Sequence, residues 1–147
     1  AEYDTIADIV AATRFPVFAN GDITSPENAA AVIAHTGAAG VMIGRAAQGQ
    51  PWICGQIAAH LDTGITPAAP SRLEQLAILR RHVAELHDFY GDYMGVRIAR
   101  KHVGWYLQHR PGYIEYRKQF NTLDSTGEQL RYINQLSNTD SNEVLAA

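Results

Sequence analysis

The sequence has little of several features that would place a protein in a special class. It contains one cysteine, Cys54, which excludes an internal disulfide framework and favours a reducing compartment. No apolar run approaches the roughly 20 residues of a membrane-spanning helix, and the first residues lack the basic head of a signal peptide. Internal repeats and low-complexity segments are also absent. We therefore expect a cytoplasmic globular protein that has no membrane partner.

Metal-binding and nucleophile patterns are absent as well. His82 and His87 are five residues apart and fall on different faces of a predicted helix, with no cluster of cysteines or carboxylates beside them. No nucleophile–base pair and no Walker-type phosphate loop is recognisable. Cys54 lies just after Pro51, in the first turns of a predicted helix, and we expect a buried small apolar side chain. These patterns indicate no metal site.

The net charge of −3 is unevenly distributed along the chain. Residues 1–66 carry a net −4, residues 72–118 a net +4, and residues 119–147 a net −3. A basic middle segment in an acidic chain favours an anionic partner for that segment, although surface charge is often uneven by chance.

In the first part of the chain, helical and strand patterns alternate. Ser25 is a predicted helix N-cap because Pro26 and Glu27 follow it, and Gly37 is suited to the end of that helix. The predicted order is helix, strand, helix, strand, helix, over residues 3–14, 16–19, 25–37, 40–43 and 51–64. This alternation is typical of a parallel sheet with right-handed crossovers.

Two strands cannot form a complete parallel sheet that is covered on both faces. Helices would cover one face, and the other, with Val17, Ala19, Val41 or Ile43, would be exposed to water. A β/α barrel needs eight such units and about 250 residues. We interpret residues 1–64 as the last two β/α units of a TIM-type α/β barrel. A two-stranded sheet completed by oligomerisation is the alternative.

The second part of the chain is predicted to be an all-α bundle. Residues 65–70 form a proline-rich linker, residues 71–138 a helical domain, and residues 139–147 a frayed tail. SRLE (71–74) and STGE (125–128) are capping boxes that begin helices. The first helix carries an apolar stripe that ends at Gly91: Leu76, Leu79, Val83, Leu86 and Tyr90. Further helices are predicted over about 94–109 and 113–120.

Glycines and polar residues follow both predicted strands. In α/β barrels the loops after the last two strands often hold a phosphate. Glycine lets backbone N–H groups approach a ligand closely, and an arginine supplies a fork of donors suited to phosphate. An arginine here could also pair with a carboxylate inside the barrel, so these residues leave both readings open. The candidate residues are Asn20, Gly21, Asp22, Gly44 and Arg45.

A second candidate site is a basic helix. Arg97, Arg100 and Lys101 are spaced i, i+3, i+4 and share one helix face, and residues 97–110 contain no acidic residue. His102 is next to them, and Trp105 could pack on a sugar or base. A solvated helix face with core aromatics fits this pattern equally well.

Three stretches resemble tRNA-dihydrouridine synthases, and the later two are closest to the B-type bacterial branch of that family. They are PVFANGDITSPENAAAVIAHTGAAGVMIGRAAQGQPWI (16–53), LHDFYG (86–91) and RIARKHVGWYL (97–107). The resemblance covers nearly the whole chain and weakens after about residue 110. It implies the C-terminal portion of a flavoenzyme that reduces uridine in tRNA to 5,6-dihydrouridine, with FMN as cofactor and NADPH as reductant.

The resemblance also assigns roles to residues. It implies that Asn20, Gly21, Asp22, Gly44 and Arg45 hold the FMN phosphate end, and that the helical domain grips tRNA through Arg97, Arg100, Lys101 and His102. The cysteine that protonates uracil in this family is on an earlier barrel loop. We therefore expect no catalytic residue in this chain, and an inactive chain when it is alone.

Two other functions stay open from the residues alone. One is a different flavin- or phosphate-binding barrel oxidoreductase that acts on a small molecule, and the other is a stand-alone RNA-binding module. We expect the parent enzyme to be monomeric, whereas uncovered apolar strands would give this chain a route to self-association.

Overall fold

The chain divides between Ala69 and Pro70 into two compact units, which we call the N-terminal and C-terminal units. The computed structural model describes the backbone of residues 2–145 and the side chains of residues 2–139. The N-terminal unit contains α1 (Tyr3–Ala12), β1 (Phe18–Asn20), α2 (Pro26–Thr36), β2 (Gly40–Met42), a 3₁₀ turn (Arg45–Ala47) and α3 (Ile53–Thr63). The C-terminal unit contains α4 (Arg72–Leu107), α5 (Tyr113–Asn121) and α6 (Thr126–Leu145). Among the described residues of both units, each helix is too short or too polar to cross a bilayer.

The two strands of the N-terminal unit pair in parallel, as the alternating pattern predicts. Ala19 of β1 is opposite Val41 of β2, and α2 makes the crossover between the strands. Ser25 caps α2 by accepting a hydrogen bond from the Asn28 N–H at 3.1 Å, and Gly37 ends the helix at φ 67°. The core between strands and helices is formed by Ala19, Ile23, Ala29, Val32, Ala38, Ile53 and Ile57.

The uncovered face of the strand pair differs from the one expected. Ala19 is buried, and Val41 and Ile43 pack against the helix-covered core, whereas Phe18 and Met42 are 63% and 53% exposed. The expectation for Ala19, Val41 and Ile43 is therefore wrong. Side chains alternate between the two faces of a strand, and a register displaced by one residue exchanges the faces.

Helix α4 is interrupted at Gly91, where the backbone has φ 74° and ψ 173°. This glycine separates two segments that pack against each other, and the helix end predicted there is confirmed. Ser71 and Glu74 form the predicted capping box at the start of α4. The core of the unit is formed by Leu76, Leu79, Val83, Ala99, Val103, Leu107, Phe120, Ile133 and Leu136.

One residue of the predicted apolar stripe lies outside this core. Tyr90 is 47% exposed, and His87 is buried in its place at 6% exposure. The His87 Nε2 is 2.8 Å from Gln129 Oε1, and Gln129 Nε2 donates to the Val96 carbonyl at 3.0 Å. A polar chain thus joins both segments of α4 to α6 and compensates for burying Gln129, whereas the buried Nδ1 of His87 has no hydrogen-bond partner among the described residues.

Helix α6 continues beyond the boundary expected near residue 138. Ser125 and Glu128 form the second capping box, and the helix extends to Leu145 because no glycine or proline interrupts residues 128–145. The sequence had indicated a frayed tail over 139–147, of which Ala146 and Ala147 lie outside the described residues.

Candidate functional site

The residues after the two strands lie at the same edge of the parallel pair. Asn20 ends β1 and is opposite Met42 of β2, so the loops that follow both strands begin side by side. The Arg45 Nη2 donates a hydrogen bond to Asp22 Oδ1 at 3.0 Å, which links the two loops directly. The strand-end site, as we call this edge, consists of Asn20, Gly21, Asp22, Gly44 and Arg45.

Two backbone features shape the strand-end site. Gly21 has φ 138° and Asp22 has φ 47°. The Gly21 carbonyl accepts a hydrogen bond from the Tyr3 hydroxyl at 2.7 Å. A side chain at position 21 would be strained at this φ, so a glycine is needed there. Gly44 has open space where a Cβ would stand, which leaves its backbone accessible to a ligand.

The ion pair of the strand-end site is exposed on both sides. The Arg45 side chain is 86% exposed and that of Asp22 is 62% exposed. Pairs in this setting contribute about 0–1 kcal/mol to stability, so a ligand could share or replace it at little cost. The planar guanidinium keeps donors on its other edge, a geometry that suits phosphate.

A groove lies between the second segment of α4 and α5 in the C-terminal unit. Four cationic side chains line it, and none of the described residues along it carries a carboxylate. We call it the cationic groove, and its lining is Arg97, Arg100, Lys101, Gly104, Trp105, Gln108, Tyr113, Arg117 and Asn121. An anionic polymer is the ligand class that such a lining attracts.

Aromatic rings hold two of the four cations. The Arg97 guanidinium carbon is 4.4 Å from the centre of the Tyr93 ring, and Lys101 Nζ is 4.8 Å from that of Trp105. Contacts of this kind are worth about 0.5–1 kcal/mol at exposed sites. They restrict the side chains while leaving the positive charge available to a ligand.

Arg100 is held differently from the other groove cations. Its Nη2 donates to Asp124 Oδ1 at 2.7 Å and to the Leu123 carbonyl at 3.0 Å, and the side chain is only 27% exposed. Its Nε is buried without a hydrogen-bond partner among the described residues. Arg100 therefore fastens the turn between α5 and α6 to α4 in addition to lining the groove.

His102 does not line the cationic groove. Its ring packs against the rings of His82 at 4.8 Å and Trp105 at 5.0 Å, on the side of α4 that faces the first segment. Burial lowers the pKa of His102, and the neighbouring His82 and Lys101 lower it further. These surroundings disfavour the protonated form of His102, which lies outside the groove lining that includes Arg97 and Lys101.

Sequence reasoning missed the contribution of α5 to the groove. Arg117 and Tyr113 come from a different helix, and their i, i+4 spacing was the only available signal. Cys54, expected to be buried, is exposed because the phase of α3 turns Ile53 and Ile57 inward instead. Among the residues that the structure describes, no three metal-ligating side chains gather at one place.

Comparison with known proteins gives a consistent set of relatives. The family described as dihydrouridine synthase (Dus) matches residues 1–143. The chain is 60% identical to the tRNA-dihydrouridine synthase B of Pseudomonas putida over 129 residues, which are 88% of the chain and 38% of that protein. The protein of the same name from Pseudomonas aeruginosa is 57% identical over 136 residues, 92% of the chain and 41% of the relative. The tRNA-dihydrouridine synthase B of Salmonella typhimurium is 50% identical over 131 residues, which are 88% of the chain and 40% of that protein. The chain thus spans about two fifths of the length of these relatives.

Proposed function

This chain belongs to the dihydrouridine synthase family, and on that premise we propose that it is the C-terminal part of a B-type tRNA-dihydrouridine synthase. The whole enzyme would reduce uridine in tRNA to 5,6-dihydrouridine with FMN and NADPH, in the cytoplasm where tRNA is found. Identities of 50–60% to proteins named for this reaction support the proposal.

The N-terminal unit would form the last two β/α units of a TIM-type barrel. Supporting this, its two strands are parallel, joined by a helical crossover, and covered by helices on one face only. Phe18 and Met42 would face the barrel interior, where further strands would cover them. This assignment accounts for large apolar side chains at positions that this chain leaves exposed.

The strand-end site has the donor set that the phosphate of FMN requires. Arg45 would contact the phosphate, Gly21 and Gly44 would allow close backbone approach, and Asn20 would offer a polar side chain. Asp22 carries the same sign of charge as a phosphate, so we assign it to orienting Arg45 through their 3.0 Å contact. When bound, FMN would supply the hydride that reduces the uracil ring. We place no catalytic residue in this chain, and the proton donor would come from another part of the enzyme.

The cationic groove would bind the phosphodiester backbone of tRNA. The observation that carries this assignment is a lining of four cations without a carboxylate. Arg97 and Lys101 are both exposed, so they are the groove cations best placed to meet phosphates from the α4 side. We retain Arg100 as a contributor that also stabilises the unit, and we assign His102 to packing behind the groove.

A titration of this chain with unmodified tRNA at about 50 and 200 mM salt tests the groove. Each phosphate contact adds about 0.7–0.9 to the slope of log K against log salt, so Arg97→Gln/Lys101→Gln should lower the slope by roughly 1.5. The matched control is Arg81→Gln/Lys118→Gln, which removes the same charge from exposed positions outside the groove. Equal slopes in the two double variants would contradict the assignment.

The reaction itself is tested with the full-length protein that contains this chain. Incubated with unmodified tRNA and NADPH, it should purify with flavin and convert uridine to dihydrouridine, detected by mass spectrometry of the digested tRNA. RNA binding without flavin or reduction would favour a stand-alone RNA-binding module. Oxidoreductase activity that is insensitive to Arg97→Gln/Lys101→Gln would favour a barrel enzyme that acts on a small molecule.

A further inference from the structure

Helix α5 brings one cation to the groove from the side opposite Arg97 and Lys101. Arg117 lies against α4 at Gly104, where a Cβ would stand 3.7 Å from Arg117 Nε and 3.9 Å from its Cδ. Gly104 is buried in the last turn of α4. Both separations are ordinary van der Waals distances, so the Arg117 side chain packs directly along α4 at this position.

Tyr113 orients the guanidinium of Arg117. The Arg117 Nη1 donates a hydrogen bond to the Tyr113 hydroxyl oxygen at 3.1 Å, and the two residues are one turn apart on α5. Within the described part of the chain, no carboxylate forms an ion pair with Arg117. The nearest acid along α5, Glu115, instead accepts a hydrogen bond from Gln119 at 3.1 Å.

We propose that Arg117 contacts an RNA phosphate from the α5 side of the cationic groove and that Tyr113 positions it. This inference rests on the proposed function, because tRNA is the ligand. Arg97 and Lys101 on one side and Arg117 on the other form a two-sided clamp on the RNA backbone. An arginine already held by a neutral hydroxyl keeps its full charge and loses less side-chain freedom on binding.

The matched variants are Arg117→Gln and Lys118→Gln, which remove one positive charge at adjacent positions of α5. Lys118 is exposed and does not line the groove. In tRNA titrations of this chain, Arg117→Gln should weaken binding about tenfold, as loss of a charge-assisted hydrogen bond does. It should also lower the salt slope by about 0.7–0.9, one phosphate contact, whereas Lys118→Gln should leave the slope unchanged.

Tyr113→Phe tests the positioning role, because it removes the hydroxyl and keeps the charge of Arg117. We expect tRNA binding to weaken about threefold, which is at the low end of the effect of losing one neutral hydrogen bond. The salt slope should not change, because no charge is removed. In the double variant Tyr113→Phe/Arg117→Gln, affinity should equal that of Arg117→Gln alone. Circular dichroism of each variant checks that the helices persist.

The outcomes separate this inference from the proposed function. If Arg97→Gln/Lys101→Gln lowers the slope but Arg117→Gln behaves like Lys118→Gln, the clamp is overturned and the groove stands. If the losses from Tyr113→Phe and Arg117→Gln simply add, the positioning role is overturned. A wild-type chain without salt-sensitive tRNA binding would overturn both. If Arg117 matters for binding but the full-length protein reduces no uridine, the clamp stands and the proposed reaction fails.

Discussion

The two units of this chain differ in the side chains that form their cores. The core of the C-terminal unit includes large side chains such as Phe120, Leu79 and Ile133, all fully buried, and both capping boxes lie in this unit. The core of the N-terminal unit includes three alanines, and its strands leave Phe18 and Met42 exposed. Both units leave large apolar side chains exposed, among them Phe89 and Ile114 in the C-terminal unit, so the units differ in the size of the side chains that fill their cores.

The two candidate binding sites differ in how their cationic side chains are held. At the strand-end site, Arg45 is restrained by one exposed ion pair. In the cationic groove, Arg97, Lys101 and Arg117 are each held by an aromatic residue of the same unit. The groove cations are thus restrained by contacts within the C-terminal unit, whereas the contact that restrains Arg45 is exposed to water on both sides.

The largest expected effect follows from the difference between the two cores. Phe120→Ala removes a fully buried ring and should lower the free energy of unfolding by about 3–5 kcal/mol. The control Phe18→Ala, at a 63% exposed position of the N-terminal unit, should change it by less than about 1 kcal/mol. Urea denaturation followed by circular dichroism measures both. Comparable losses would break the comparison between the units.

The buried polar chain of the C-terminal unit gives the next largest effect. Gln129→Leu leaves both His87 Nε2 and the Val96 carbonyl without their partner, at an expected cost of about 2–4 kcal/mol. Gln56→Leu in the N-terminal unit removes an exposed hydrogen bond to the Pro67 carbonyl, which water can replace, and should cost less than about 1 kcal/mol. Urea midpoints of the two variants test this difference, and a stable Gln129→Leu would contradict it.

A smaller effect is the pH dependence that His102 gives to the stability of the C-terminal unit. The pKa of His102 is lowered from its ordinary value of 6.5, chiefly by burial. Below pH 6.5 the unfolded chain then binds more protons than the folded one, so the free energy of unfolding falls as the pH falls through 6.5 towards the lowered pKa. His102→Gln should make this decline shallower. The test is the urea midpoint of each protein measured between pH 7.5 and 5.5. If the midpoint falls equally steeply with pH in His102→Gln and in wild type, the prediction is refuted.

The smallest effect on stability is expected at the strand-end site. Arg45→Gln breaks an ion pair that is exposed on both sides and should change the free energy of unfolding by less than about 0.5 kcal/mol. In the full-length protein the same change should lower the flavin content after purification, read from flavin absorbance per mole of protein. Arg14→Gln, at another exposed arginine of the N-terminal unit, is the control. Normal flavin content in Arg45→Gln would argue against the proposed phosphate contact.

Features that depend on neighbouring residues in the sequence were predictable. The cap at Ser25, the capping boxes at Ser71 and Ser125 and the helix interruption at Gly91 were all expected and are all present. Each involves contacts or backbone angles within about four residues, so the local sequence contains all the information that is needed. The parallel pairing of the strands was also predictable, because a crossover helix connects them.

Features that depend on the phase of an element were predicted less well. The faces of β1 and β2, the burial of His87 instead of Tyr90 and the exposure of Cys54 all differ from expectation. The errors for the strands and for Cys54 amount to a displacement of one residue, and His87 is three residues, about one helical turn, from Tyr90. Short strands of three residues contain too few alternations to fix their inward face from the pattern alone.

The sequence by itself determined which segments are helical, where they are capped and which cations share the α4 face, because these follow from spacing of three or four residues. Only the tertiary structure decided that Arg117 joins the groove, that Arg100 is fastened to Asp124 and that His102 packs behind it on His82. Those contacts join residues 13 to 24 positions apart. Their geometry depends on how α4, α5 and α6 pack around Phe120 and Ile133, and no local pattern specifies that packing.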